Sequence, residues 1–219
     1  YTLTNGTLTM TVVPRSTTVS GTKTYDGTTN VSSSNLTSFS NLAGSDTLSL
    51  SGTGTISTAD VGTGKTVNTS GLTIDNSSGV GSNYTLSAAT VNVTERVIGL
   101  NGVRAFDGTN NASSADLSIS NLVSGENLTL SGSGTVPNAT VEMNKAITLG
   151  SLSISDGSGG KSSNYTLTGG SHTLDISQLS VNVTGSRQYD GTKTVNSSDL
   201  NLTNLVSGET VSLTGAGTV

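Results

Sequence analysis

Two lysines recur at equivalent positions, each with an aspartate upstream and an asparagine downstream. The lysines are Lys65 and Lys145, the aspartates Asp26 and Asp107, and the asparagines Asn83 and Asn164. A lysine amine can form an isopeptide bond with an asparagine amide, releasing one ammonia, when burial raises the pKa of a carboxylic acid that assists the attack. The pattern thus suggests a covalent cross-link. The alternative is that each lysine pairs with an exposed carboxylate or lies in water, which stabilises by at most about 1 kcal/mol.

Other reactive groups are scarce. The chain has no cysteine and a single histidine, His172, in a Gly-Gly-Ser-His segment present in one copy only. Zinc sites need clustered His and Cys, and calcium sites need closely spaced carboxylates, whereas the acids here are scattered. We therefore expect no catalytic residue, no cofactor and no metal site, and a protein that is not an enzyme. Calcium bound between repeats is the one metal-binding alternative left open.

The sequence segments that would position these residues form a tandem repeat. An aromatic-Asp-Gly-Thr marker recurs 81 and 83 residues apart, at Tyr25-Asp26-Gly27-Thr28, Phe106-Asp107-Gly108-Thr109 and Tyr189-Asp190-Gly191-Thr192. A second marker recurs 83 and 81 residues apart, at Tyr1-Thr2-Leu3, Tyr84-Thr85-Leu86 and Tyr165-Thr166-Leu167. Two markers in phase indicate a repeat of about 82 residues.

The markers divide the chain into four segments. Residues 1–13 are predicted to be the C-terminal strand of a preceding repeat, 14–94 and 95–177 two complete repeats, and 178–219 the N-terminal half of a further one. Because the chain starts inside a repeat, we expect it to be part of a longer protein whose export signal lies upstream.

Within each repeat the apolar residues alternate with Ser and Thr, as in Leu48-Ser49-Leu50 and Val91-Asn92-Val93. A period of two predicts half-buried strands, and turns rich in Gly and Asn separate them. Seven or so short strands per repeat predict tandem immunoglobulin-like β-sandwiches in an elongated all-β array. A β-solenoid is the alternative fold, but its coils would show a period nearer 20–30 residues.

The repeated aromatics have a structural explanation. Asp bonds its own backbone two residues on and Gly accepts a positive φ, so the pair makes a tight turn that the preceding ring can anchor in the core. We expect Tyr25, Phe106, Tyr84 and Tyr165 to be largely buried. Stacking of a ligand on these rings is the alternative.

Composition excludes two classes of partner. The net charge is −5, and the nine Lys and Arg residues are dispersed, whereas nucleic-acid binding needs clustered cations. No apolar run approaches the length of a membrane-spanning helix, so we expect no membrane insertion.

These motifs resemble the YDG-type repeat of bacterial surface proteins. The first complete repeat carries Tyr25-Asp26-Gly27-Thr28, then Asp46, Gly62-Thr63-Gly64-Lys65 and Asn83-Tyr84-Thr85-Leu86. The second keeps Asp107-Gly108, Gly125-Glu126, Lys145 and Asn164-Tyr165-Thr166-Leu167, but has Phe106 in place of Tyr. The resemblance implies a large exported adhesin of the haemagglutinin-like, two-partner-secretion or biofilm-matrix type, located at the cell surface. The family offers no catalytic residues.

Two functions follow as expectations. The first is a stalk or spacer that holds a binding region away from the cell, with neighbouring repeats as its partners. The second is a set of repeats that bind matrix polysaccharide, a host glycan or a neighbouring cell surface directly. Buried marker aromatics favour the stalk, because sugar sites present exposed aromatics or clustered acids.

Overall fold

A computed structural model describes Gly6 and residues 9–219. These residues form an all-β protein with five short 3₁₀ turns, at Ser33–Asn35, Gly81–Asn83, Ser114–Asp116, Ser162–Asn164 and Ser197–Asp199. No helix in this part of the chain is long and apolar enough to cross a membrane. The all-β prediction is confirmed.

The first repeat alternates its strands between two sheets. The odd-numbered strands form one sheet in the order β3-β1-β7-β5: β1 (Arg15–Thr24), β3 (Leu36–Ser40), β5 (Gly62–Thr66) and β7 (Tyr84–Thr94). The even-numbered strands form the other in the order β2-β4-β6: β2 (Asn30–Ser32), β4 (Leu48–Thr55) and β6 (Leu72–Asn76). All pairs are antiparallel except β1 with β7, which are parallel. The first and last strands of the repeat therefore lie side by side, instead of pairing between successive coils as in a solenoid.

The core of the first repeat draws on both sheets. Val19, Val91 and Val93 are buried in the first sheet, and Val31 and Leu48 in the second. Their neighbours along each strand are mostly exposed, as the period of two predicts. The sheets also contact each other through β3 with β4 and β6 with β7. Small apolar side chains and the fully buried Thr17 thus build a thin core.

The glycine before each marker permits a close backbone approach. A Cβ on Gly21 would lie 1.7 Å from the carbonyl oxygen of Asn35. At the equivalent Gly102 and Gly185 it would lie 1.9 Å from Asp116 O and 2.1 Å from Asp199 O. Asn35, Asp116 and Asp199 each end a 3₁₀ turn. The turn can therefore pack against the neighbouring strand (β1, β9 or β18) only where that strand has a glycine.

The second repeat follows the same plan with more interruptions. Its strands are β8 (Arg96–Val97), β9 (Gly99–Ala105), β10 (Asn111–Ser113), β11 (Leu117–Ser120), β12 (Leu128–Ser131), β13 (Ser133–Thr135), β14 (Glu142–Ala146), β15 (Ser153–Asp156), β16 (Tyr165–Thr166) and β17 (His172–Ser177). The main sheet has the order β11-β9-β17-β14, and smaller pairs join β10 to β13, β12 to β15 and β8 to β16. Parallel pairing of β9 with β17 corresponds to that of β1 with β7.

The third repeat contributes two antiparallel pairs. β18 (Asn182–Gly185) pairs with β20 (Leu200–Thr203), and β19 (Thr194–Asn196) pairs with β21 (Ala216–Thr218).

Residues 9–14 are not part of any strand. The sequence predicted a strand of a preceding repeat over 1–13, and its marker Tyr1-Thr2-Leu3 lies outside the described residues. Within residues 9–14, the apolar side chains Met10, Val12 and Val13 are exposed.

The described chain folds into two compact units whose limits differ from those of the repeats. One unit contains the residues up to Val97 together with Leu122–Asn127 and Gly157–Thr168. The other contains Ile98–Asn121, Leu128–Asp156 and Gly169–Val219. The first unit therefore joins the first repeat to three segments of the second, which are 95–97, Leu122–Asn127 and Gly157–Thr168.

Candidate functional site

Each marker forms the same tight turn, which we call a marker turn. In the first, Asp26 Oδ1 accepts hydrogen bonds from the backbone N–H and the hydroxyl of Thr28, both at 2.9 Å. Asp107 binds Thr109, and Asp190 binds Thr192, in the same way. The glycine that follows each aspartate has a φ of +75° to +79°. The Asp-Gly turn predicted from sequence is thus present in all three copies.

A cation two residues before each aromatic holds the marker turn. The side chain of Lys23 is buried, and its Nζ donates to Asp26 Oδ1 at 2.8 Å and to the carbonyl oxygens of Thr28 and Asn30 at 3.0 and 2.7 Å. Arg104 and Arg187 occupy the same position and pair with the aspartates of their own turns. A buried charge is tolerated when it is paired and fully hydrogen-bonded. Sequence analysis missed these cations, although a basic residue precedes every marker by two positions.

These contacts change the acidity of the marker aspartates. At Asp26 burial acts to raise the pKa, but hydrogen bonds from Lys23 and Thr28 outweigh it and hold the pKa below its ordinary value of 3.8. The same balance lowers the pKa of Asp107. At Asp190 the backbone N–H of Thr192 and the guanidinium of Arg187 lower the pKa to about 2.

The aromatic ring of the first marker, Tyr25, is buried against the second repeat. Tyr25 is 5% exposed, and its hydroxyl donates to Glu126 Oε1 at 2.5 Å. The other oxygen of Glu126 accepts a hydrogen bond of 2.8 Å from Tyr165, whose hydroxyl accepts one of 3.1 Å from Val123 N–H. Burial, and then the neighbouring Glu126 carboxylate, raises the pKa of Tyr25. Two tyrosines from different repeats thus share one carboxylate, an arrangement that we call the junction.

The backbone of the first marker turn, at Gly27, lies against Val123 of the second repeat. A Cβ at this position would come within 2.7 Å of Val123 Cγ1. The same relation holds between Gly108 and Val206, at 2.8 Å. The glycine of the marker therefore serves two needs, a left-handed backbone and contact with a valine of the following repeat.

A second group of contacts lies beside the junction. Asn164 is 1% exposed; its Nδ2 donates to Asp60 Oδ1, and its Oδ1 accepts from Val61 N–H, both at 2.9 Å. Lys161 Nζ donates to Asp60 Oδ2 at 2.7 Å. Hydrogen bonds from Lys161 and then Asn164 lower the pKa of Asp60. The 3₁₀ turn at Ser162–Asn164 thus holds a loop of the first repeat.

The cross-link candidates are not brought together. Lys65 Nζ donates to Thr58 Oγ1 at 2.9 Å and to the carbonyl oxygen of Asp60, and makes no hydrogen bond with Asn83, which is exposed. Lys145 donates to Asn138, Thr140 and Glu142, while the side chain of Asn164 binds Asp60 and Val61. Asp26 and Asp107 bind the cations of their own turns. The two lysines occupy equivalent positions because they have the same role: each binds the loop that precedes its own strand, β5 or β14.

The marker aromatics differ in burial. Tyr84 and Tyr165 are buried as expected, and Tyr84 Oη donates to Asp46 Oδ2 at 2.5 Å. Phe106 is only half-buried, and Tyr189 is 93% exposed. The expectation of large burial is therefore too strong for Phe106. Tyr25 contacts Glu126 and Tyr165 of the second repeat, so burial at this position depends on what the following repeat supplies.

No group of three or more His, Asp or Glu side chains in the described part of the chain could hold a metal ion. The junction itself consists of hydrogen bonds to Glu126 and an aromatic contact.

Comparison with known proteins gave one family match. Two consecutive segments, residues 7–92 and 94–174, match the model of the YDG domain. No curated protein and no solved structure matches the chain. The two matches together cover well over half of the sequence.

Proposed function

Because the chain belongs to the YDG domain family, we propose that it is a set of structural spacer repeats from a bacterial cell-surface or biofilm-matrix adhesin. The repeats would hold a binding region away from the cell, and the protein would act outside the cell. The proposal includes no catalytic activity.

The observation that carries this proposal is the shared carboxylate of the junction. Tyr25 of the first repeat and Tyr165 of the second both donate to Glu126. The contacts of Asp60 with Lys161 and Asn164 add a second attachment nearby. A spacer transmits position only if consecutive repeats cannot pivot freely, and buried, hydrogen-bonded contacts resist pivoting.

The position of the marker aromatic supports a spacer over direct glycan binding. A sugar-binding ring needs an exposed face, but Tyr25 is buried under the second repeat. The pattern of one aromatic per repeat is then a pattern of attachments between repeats.

An immunoglobulin-like sandwich remains our proposal for the fold of each repeat. Seven strands divided between two sheets in the first repeat support it. The parallel pair of β1 and β7 departs from the antiparallel sheets typical of that fold.

Replacement in the parent adhesin tests the function. The YDG region is exchanged for an unrelated stiff spacer of equal length, and adhesion of cells is measured beside a deletion of the region. A spacer function predicts that the exchange restores adhesion and the deletion does not. If the exchange also abolishes adhesion, the repeats contain the binding surface themselves.

Small-angle scattering of this chain gives an independent test. A spacer predicts an extended envelope, and a variant carrying Tyr25→Ala with Glu126→Ala should show a broader distribution of dimensions. A compact envelope would contradict the proposal.

The alternative, direct recognition of polysaccharide or a host glycan, has one observation in its favour. Tyr189 lines a cavity of about 540 Å³ together with Arg187, Val195 and Leu200. Titration of the chain with neutral dextran and anionic alginate, beside Tyr189→Ala, would reveal such binding.

A further inference from the structure

We propose that Lys145 and Asn138 form an isopeptide bond within the second repeat, with Glu142 as the proton acceptor. The three side chains meet where the loop before β14 joins that strand, inside one folded unit. Asn138 is not the partner that the sequence suggested for Lys145. The bond would fix the loop to β14, the edge strand of the main sheet of this repeat. The inference does not depend on the proposed spacer function.

The loop brings the lysine amine against the amide group. Lys145 Nζ donates to Asn138 Oδ1 at 2.6 Å. Since a C=O bond is about 1.2 Å long, the amide carbon of Asn138 lies within about 3.8 Å of Nζ. Groups poised to react in enzymes are held about 3–3.5 Å apart. The amine therefore needs only a small displacement to reach the carbon.

Glu142 is placed to remove the proton that blocks the reaction. An ammonium group has no free electron pair, so the lysine must lose a proton before it can attack. Glu142 Oε2 accepts a hydrogen bond from Lys145 Nζ at 2.9 Å, which is within the reach of a general base. The side chain of Lys145 is 2% exposed, so the neutral amine would be shielded from water.

Thr140 supports the oxygen on which charge would develop. Its backbone N–H donates to Asn138 Oδ1 at 3.2 Å, and its hydroxyl donates to the same oxygen. Addition of the amine places a negative charge on that oxygen, and donors already in position lower the free energy of such a state. Asn138 itself is exposed, so the ammonia that it releases can leave directly into solvent.

The atoms balance without a further reagent. Glu142 takes one proton from the ammonium of Lys145, and Nζ adds to Cγ of Asn138. Glu142 returns that proton to Nδ2, the Cγ–Nδ2 bond breaks with its electron pair on nitrogen, and a second proton of Nζ leaves with the ammonia as ammonium. One C–N bond forms, one C–N bond breaks, and nothing is oxidised or reduced.

The first repeat carries the equivalent lysine without the other two groups. Seven and three positions before Lys65 lie Thr58 and Gly62, where the second repeat has Asn138 and Glu142. Threonine offers no amide carbon, and glycine offers no carboxylate. Lys65 therefore cannot form the same bond, and we expect the chain to lose one ammonia and not two.

Mass spectrometry of the intact chain tests the proposal. We expect the mass to be lower than that of the sequence by one ammonia. Lys145→Arg keeps the cation, and Asn138→Thr introduces the residue of the first repeat; both variants should have the full mass. Lys65→Arg is the matched control and should retain the loss of ammonia.

Digestion of the denatured chain locates the bond. Cleavage after Glu142 separates Asn138 from Lys145 in an unlinked chain, whereas an isopeptide bond keeps the two peptides joined. Joined peptides also distinguish this bond from the loss of ammonia that occurs when an asparagine cyclises on its own backbone. In Glu142→Gln, followed over time after refolding, the mass should change at least about 100-fold more slowly, because a general base contributes about 10²–10⁴-fold to a rate.

The unmodified chain decides the main claim, so a variant that folds poorly cannot conceal a failure. A mass equal to that of the sequence, or two separate peptides after cleavage, would overturn the proposal. So would a loss of ammonia that persists in Lys145→Arg. An equal rate in Glu142→Gln and in the unmodified chain would contradict the role of Glu142 as proton acceptor.

Discussion

The ring of Tyr25 meets the ring of Tyr165 edge to face, with centroids 5.4 Å apart and planes inclined at 78°. The two hydroxyls converge on the two oxygens of Glu126. Edge-to-face aromatic pairs contribute roughly 0.5–1.5 kcal/mol beyond their buried area. The junction thus combines packing, quadrupole attraction and two charge-assisted hydrogen bonds.

Tyr25→Phe should separate the hydrogen bond from the packing. The ring stays, but Glu126 loses one donor, and hydrogen bonds to a charged group contribute about 1.5–3 kcal/mol. We expect amide exchange in β1 and β7 to report a loss of about 1.5 kcal/mol, because local stability is measured there directly. Tyr189→Phe is the control and should change nothing. An equal effect of the two variants would contradict a role for the hydroxyl.

Gly27→Ala and Gly191→Ala form a matched pair. The φ angles are +75° at Gly27 and +79° at Gly191, so both substitutions carry a similar backbone cost of about 1–2 kcal/mol. Only Gly27 faces Val123, where overpacking adds about 1–3 kcal/mol. Hydrogen exchange should therefore show a larger loss at Gly27. Gly27→Ala combined with Val123→Ala should remove the excess, and an excess that persists would place its origin elsewhere.

Phe106→Tyr should strengthen the contact between the second and third repeats. Gly108 already meets Val206 as Gly27 meets Val123, and Glu209 follows Val206 at the same spacing as Glu126 follows Val123. A hydroxyl that reaches Glu209 should raise the stability of β9 and β18 by about 1 kcal/mol. In a Glu209→Ala background the gain should vanish. A gain that survives this change would come from a different partner.

Stability should fall in acid through the lowered pKa values of Asp26, Asp60, Asp107 and Asp190. A group with a lowered folded-state pKa contributes stability above its unfolded pKa, and the contribution is lost as protons bind. The loss should begin near pH 4, since the ordinary value is 3.8, and continue toward the Asp190 pKa of about 2. Urea midpoints measured from pH 6 to pH 2, with carboxyl NMR for Asp190, check this. Constant midpoints would show that the aspartates are not linked to folding.

Local patterns in the sequence predicted the strands, the repeat and the Asp-Gly turns. These features depend on neighbours within a few residues, such as Asp26 with Thr28, or on side-chain alternation, as in Val91 and Val93. The junction could not be predicted in the same way, because Tyr25 and Glu126 are 101 residues apart.

The partners predicted for Lys65 and Lys145 differ from those in the structure for a related physical reason. Because Lys65 and Lys145 occupy equivalent positions in the two repeats, the sequence indicates that they have the same role. It does not indicate which residues each lysine binds. Each ammonium binds groups five to seven residues before it, Thr58 and Asp60 or Asn138 and Thr140. The sequence does carry a signal for the cation of the marker turn, since Lys23, Arg104 and Arg187 each precede a marker aromatic by two residues. The role of these cations follows only from their ion pairs with the marker aspartates.

The first folded unit joins one repeat to three segments of the next, and we expect this to affect how genes for such repeats gain and lose copies. Each complete repeat carries an aromatic marker turn, with Tyr25 or Phe106, and a carboxylate–tyrosine pair, Asp46–Tyr84 or Glu126–Tyr165. A crossover between two copies would therefore bring the marker turn of one parent against the carboxylate–tyrosine pair of the other, and we expect the contact between repeats to form again. We expect the number of repeats to change without compensating substitutions elsewhere in the chain. If one parent has lost either half of the junction, only the one contact between repeats that is formed at the crossover should be weakened.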